Sequence, residues 1–299
     1  MLSKIYNLLN YCYEDSMLEQ LPNIEFQLFI LSVKSLVPYE NKIGCAFDLV
    51  RYKSEVDTFK YYKNGHDETI EYYINNQTSS NTNDSLLEYK ILPLIIANTV
   101  YESVLEETLK LISFFTINPK SILDVIILSS CIYDYLTIEE IIEIDADLLN
   151  ANLKERLISF SIKDFIKSVD SKNIMDKSQF IDFEKERIKL LTKPSFFTEE
   201  IILKYKSLQH ILNKNSVTKT TNKENSEVLN NFASYLLKLR KGTVNPEKLK
   251  LNITNIPDLK EFLKSSSFIH PLLGKCIILK RSNTEIILKN KLGLLKVKI

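Results

Sequence analysis

Glycine is scarce: the 299-residue chain holds five. A dinucleotide fingerprint, a phosphate-binding loop or a tight all-β sandwich needs several glycines where the backbone turns sharply or approaches a ligand, so all three are excluded. Histidine is nearly as rare. His66, His210 and His270 are far apart, and the four cysteines (Cys12, Cys45, Cys131, Cys276) show no paired spacing. A zinc site and a disulfide framework are therefore not expected. Cys12, Cys45 and Cys131 stand among apolar neighbours and read as small buried hydrophobes. His210, in Leu208-Gln209-His210-Ile211-Leu212, reads as a helix-face residue, and His270-Pro271 as a turn. No histidine lies in a nucleophile motif. Long uncharged apolar runs are missing too, so no membrane span is expected. The first ten residues lack the apolar stretch of a signal peptide, which makes the expected location cytoplasmic.

What is present is ordinary core chemistry, with 44% apolar and 26% charged residues. The formal charge of +1 hides an asymmetry. Residues 238–299 hold 14 Lys and Arg against four acids, about +10, and the remainder is about −9. Such a region suits an acidic partner, nucleic acid or an anionic surface. It equally suits a solvated lysine face, and no arginine cluster or aromatic stacking pattern accompanies the lysines.

Helical periodicity predominates. Helices are predicted over 26–37, 100–115, 121–136, 147–169, 178–191, 198–213 and 226–241. Asn118-Pro119 is a strong helix start, because Asn caps and Pro suits the first helical position. The run 121–136 is apolar on nearly all sides and reads as a central buried helix. Thr137 before Glu139 and Glu140, and Thr198 before Glu199 and Glu200, read as further starts with acidic first turns. Residues 75–85 are a polar loop, and 213–225 a polar linker. After Gly274 the period shortens, and 277–279, 285–288 and 294–299 read as strands of a small antiparallel meander. The expected organisation is a helical domain over 1–212, the linker 213–225, and a smaller basic α+β region over 226–299.

Four stretches, in order, resemble the ADP-ribosylglycohydrolase family. Lys4 to Leu18 resembles its opening helix, with Asp15 at that helix's terminal Asp. Asn23-Ile24-Glu25-Phe26-Gln27-Leu28 falls where the family has Thr-Asp-Asp-Thr-Gln: Gln27 matches, Glu25 stands at the second Asp, and Ile24 replaces the first. Gly65-His66-Asp67-Glu68-Thr69 through Lys90-Ile91-Leu92-Pro93-Leu94 resembles the family's Gly/Thr turn, helix and Met-Arg-(Val/Ile)-Ala-Pro-Leu run, Lys90 standing for the Arg. Phe114-Phe115-Thr116-Ile117-Asn118-Pro119 falls at Leu-Thr-His-x-x-Pro, with Ile117 replacing the His. The likeness covers about residues 1–136. The family's late Gly-Gly-Asp-(Ser/Thr)-Asp-Thr motif has no counterpart here, and Asp145-Ala146-Asp147 lacks its glycines.

The resemblance implies a mainly α fold that, in the family, cleaves ADP-ribose conjugates with two magnesium ions held chiefly by aspartates. Magnesium demands near-octahedral oxygen coordination, and two adjacent ions need several carboxylates. With Ile24 at one ligand position and a whole motif missing, the magnesium site is expected to be lost. The expected protein is thus a pseudoenzyme without a cofactor that acts through protein binding, as scaffold, regulator or assembly subunit. Asp15, Glu25, Gln27 and Lys90 mark the remnant of the cleft, which a nucleotide-like or ADP-ribose-type ligand could still use. Nucleic-acid or anionic-surface contact through residues 238–299 is the other alternative.

Overall fold

A computed structural model describes residues 1–17, 21–138, 145–163, 165, 177–212, 223–249, 256–291 and 293–298. Residues 213–222 of the expected linker, the pair Glu139–Glu140 and residues 166–169 of the expected helix 147–169 lie outside that set.

The described chain is mainly helical with a small sheet at its C-terminal end. Helices α1 (Leu2–Tyr13) and α2 (Ile24–Lys34) lead into a hairpin, β1 (Leu36–Pro38) and β2 (Cys45–Phe47). There follow α3 (Leu49–Phe59), α4 (Glu68–Asn76), α5 (Leu87–Ala97), α6 (Tyr101–Phe115), α7 (Pro119–Thr137) and α8 (Ala146–Ser159). Next come α9 (Lys177–Leu191), the short pair α10 (Glu199–Lys204) and α11 (Lys206–Leu212), and α12 (Lys223–Arg240). A last short helix, α13 (Leu259–Phe262), precedes the antiparallel meander β3 (Ser267–His270), β4 (Gly274–Arg281), β5 (Glu285–Asn290) and β6 (Gly293–Lys298), paired in chain order.

Asn and Asp side chains set many of the helix starts. Asn23, Asp48, Asp67, Asn118, Asp145 and Asp258 each accept a backbone N–H of the first turn that would otherwise lack a partner. Asn118 performs as its sequence context predicts, accepting from Lys120 and Ser121. Thr198 stands before α10, but its hydroxyl makes no capping bond. Thr137 is the last residue of α7 rather than a start.

Helix α5 is the centre of the fold. All eleven of its residues are buried, and it packs against α2, α6, α7 and α12. Pro93 lies inside it. Proline has no N–H, so the carbonyl of Tyr89 loses its helical donor. The hydroxyl of Tyr13 donates to that carbonyl at 3.4 Å. Helix α7 is also buried on nearly all sides, as its composition predicts.

Several boundaries differ from the periodicity, among them the helix predicted over 147–169, which ends at Ser159 with Phe160 extended. The helix predicted over 26–37 ends at Lys34, and Leu36, Val37 and Pro38 pair with Phe47, Ala46 and Cys45. The helix predicted over 198–213 breaks at Tyr205, which is extended. There the Tyr205 hydroxyl donates to Asp124 at 2.6 Å, and the N–H groups of Lys206 and Ser207 turn to the Glu88 carboxylate at 3.0 and 2.6 Å. Glu88 thus caps α11 from another helix, where the dipole favours a negative charge. The meander gains a strand, β3, ahead of the three expected.

Helix α12 and the sheet share a core with the preceding helices. Helix α12, grouped by sequence with the basic region, packs across α1 and α5. Arg240 at its end is buried and donates to the carbonyls of Ile96 and Asn98. The sheet's inner face (Cys276, Ile286, Leu288, Leu295, Val297) belongs to the same apolar core as the helices. Strand β6 is tied down by Lys298 N–H donating to Tyr61 O at 2.9 Å. All four cysteines are free and buried. Among the described residues, no helix is long and apolar enough to cross a membrane.

Candidate functional site

All five glycines have positive φ, so each occupies a conformation that side chains resist. Gly65 matters most. A Cβ there would meet Ile24 Cβ and Cγ2 at 2.8 Å. Ile24, at the position resembling a magnesium ligand, is buried against that bare backbone.

The structure does not gather the four residues singled out by sequence around one opening. Asp15 lies in a short 3-10 turn, half exposed, its carboxylate 3.3 Å from Lys206 Nζ. Glu25 is in the first turn of α2, and its Oε2 accepts from Ser16 Oγ at 2.5 Å and Asn23 Nδ2 at 3.1 Å. Asp15 and Glu25 therefore share the end of α2. Gln27 is buried and braces the loop after α3: its Nε2 donates to Tyr62 O at 3.3 Å, and its Oε1 accepts from Asn64 N–H at 2.8 Å.

Lys90 belongs to a different cluster, fully buried under α4 and the polar loop. Its Nζ lies 2.7 Å from Asp84 Oδ2, 2.8 Å from Asp67 Oδ2 and 2.8 Å from Thr69 Oγ1. The ammonium also sits 4.7 Å from the Phe115 ring centre. Burial works against the charge on Lys90, but Asp67 and Asp84 outweigh it and raise its pKa. Burial likewise opposes the Asp67 charge; Lys90 overcomes this and lowers its pKa. Asp84 is raised, because burial and the neighbouring Asp67 outweigh Lys90. Asp67 and Thr69 lie in the stretch that resembles the family's Gly/Thr turn. Asp84 closes the polar loop and was not visible as a partner. The signal available was that a lysine inside an apolar helix needs carboxylates brought to it.

A cleft of about 800 Å³ lies among α6, α7 and α8. At its wall the Arg156 guanidinium stacks 4.0 Å from the Tyr101 ring centre. It also grips Asp134 through two bonds of 2.7 and 2.9 Å and donates to Ser130 Oγ at 2.6 Å. Bidentate pairing of this kind holds α8 on α7 and leaves the arginine little capacity for an anion. The remaining charges of the cleft, Glu102, Glu106 and Glu155, are exposed and acidic.

The sheet's outer face has the opposite character. Cross-strand register places Ile269 with Lys275, Ile277 with Lys289, Ile287 with Lys296, and Glu285 with Lys298. Ile269 is 75% exposed and Leu279, at a bulge, 55%. Lysines and aliphatic side chains thus alternate across one face.

Comparison with protein-family models, curated proteins and solved structures finds no match to this chain.

Proposed function

We propose that this protein is a non-catalytic binding protein, acting as scaffold, regulator or assembly subunit on an ADP-ribosylglycohydrolase-like helical framework. The observation that carries the reading is the bonding at the positions resembling metal ligands. Ile24 offers no oxygen and is packed on Gly65. The Glu25 carboxylate is engaged by Ser16 and Asn23. Gln27 holds backbone, and Lys90 is ion-paired to two buried aspartates. Such a donor set does not fit two magnesium ions, each of which needs several oxygen ligands at fixed geometry.

The surface favoured for the partner is the outer face of the sheet. Exposed aliphatics beside lysines suit an acidic protein surface with apolar spots. Nucleic acid is the weaker reading, because single-strand binding relies on aromatic platforms and this face carries Ser, Ile, Leu, Glu and Lys.

Two measurements test the reading. Full-length protein incubated with ADP-ribosyl-arginine and magnesium should release no more ADP-ribose than the buffer control. Magnesium-dependent turnover that disappears in Glu25→Ala would overturn it. On the surface, poly-glutamate should bind and be lost in the double variant Lys289→Glu, Lys296→Glu. Tighter binding of single-stranded DNA than of poly-glutamate would move the assignment to nucleic acid.

A further inference from the structure

A second opening, of about 470 Å³, lies between α2 and α12. Its walls are apolar: Phe26, Ile30 and Val33 from α2 face Val228 and Phe232 from α12. Phe26 and Phe232 meet edge to face with ring centres 5.8 Å apart, which fixes the wall geometry. Size and lining fall within the range of small-molecule sites, which are mostly apolar with a few polar groups.

The polar groups here are cationic. Lys34, Arg51 and Lys291 line the opening. The carboxylate beside them is that of buried Glu55, which is ion-paired with Lys34. Arg51 lies near that pair, and its Nη1 donates to Leu249 O at 3.0 Å. Its Nε is buried without a hydrogen-bond partner among the described residues. A buried donor left unbonded is costly unless something accepts from it. Among the described residues, Arg51 and Lys291 remain as positive charge beside the Lys34–Glu55 pair and the apolar slot, and the Glu55 Oε1 is likewise buried without a hydrogen-bond partner.

We infer that this groove binds a single-chain alkyl carboxylate, its chain between α2 and α12 and its carboxylate at Arg51. The charge surplus selects an anionic head, and the facing Phe, Ile and Val side chains select the chain. A cationic or neutral amphiphile of equal length would gain the apolar contacts but not the attraction of Arg51, Lys34 and Lys291. An acidic amphipathic helix is the competing occupant, since such helices also lie in apolar grooves.

The test uses full-length protein and three probes of equal chain length, all below their micelle concentrations: dodecanoate, dodecanol and dodecyltrimethylammonium. Titration calorimetry should give saturable one-to-one binding of dodecanoate, at least tenfold tighter than either other probe. Arg51→Gln should bring dodecanoate down to the level of dodecanol. Val228→Trp, at a position 38% exposed on the wall, should block the slot while leaving the melting temperature near that of the parent. Equal affinity for the three probes would overturn the inference, as would dodecanoate binding that survives Val228→Trp. An acidic amphipathic peptide that binds the groove and is not displaced by dodecanoate would overturn it as well.

Discussion

Lys90 shows how one residue can be functional in appearance and structural in effect. Its sequence context resembles the Arg-containing run of a catalytic family, yet its ammonium is fully buried among Asp67, Asp84 and Thr69. Removing one partner of a buried ionic cluster leaves the rest uncompensated in a medium that solvates charge poorly. Lys90→Met should therefore cost about 3–5 kcal/mol of stability in urea unfolding. The triple variant Lys90→Met, Asp67→Asn, Asp84→Asn should recover much of that loss, because the uncompensated charges are then gone. A single-variant cost below about 1 kcal/mol, the range of an exposed pair, would show that the cluster is not the buried network described. Glu88, two residues earlier, follows the same logic on the other side of α5: a buried carboxylate is tolerated because two N–H groups of α11 are brought to it.

The β3–β4 turn makes the same point for an element. His270 is buried, and its Nδ1 accepts from the N–H groups of Leu272 and Leu273 at 3.2 and 3.4 Å. Only the neutral ring can accept there, so protonation breaks the turn's internal bonding. Burial lowers the His270 pKa. A depressed folded-state pKa favours the neutral form on folding. Its stability contribution is present above the unfolded value, about 6.5, and is lost as pH falls below it. His270→Asn keeps an acceptor oxygen but does not titrate. Its melting temperature should fall less than that of the parent as the pH drops from about 7 to about 5, across the ordinary histidine range. Identical pH dependence of the two would rule this turn out as a titrating element. The sequence located the turn and the meander, because alternation in Leu295, Val297 and Ile299 marks a half-buried strand. It did not locate β3 or the β1–β2 hairpin, whose strands are three or four residues long and too short to establish a period.

At the scale of the molecule, α12 decides how many cooperative units there are. It fills the space between α1 and α5, and Phe232 reaches Phe26 and Phe29 of α2. The sheet then closes the same core. Helices and sheet should therefore unfold together. The chain has no tryptophan, but its buried thiols can report instead: Cys12 lies in α1 and Cys276 in β4. Both should become reactive toward a thiol reagent at the same urea concentration. Labelling of Cys276 at clearly lower urea would mean that the sheet is an independent unit, as the composition change along the chain implied.

The sequence by itself determined the class of fold and the location of most helices. Apolar spacing, Asn and Asp caps and strand alternation are local, and local signals are written in neighbouring residues. The five glycines all occupy positive-φ positions. Only the tertiary structure decided the fate of the four site residues. Whether Glu25 is free or bonded depends on Ser16, and whether Lys90 meets solvent or two aspartates depends on a loop folding back over α5. The same holds for the groove at Arg51, built from helices nearly 200 residues apart in the chain. Charge compensation and cavity shape are set by which surfaces meet, and no local pattern in one chain segment encodes the chemistry of the segment packed against it.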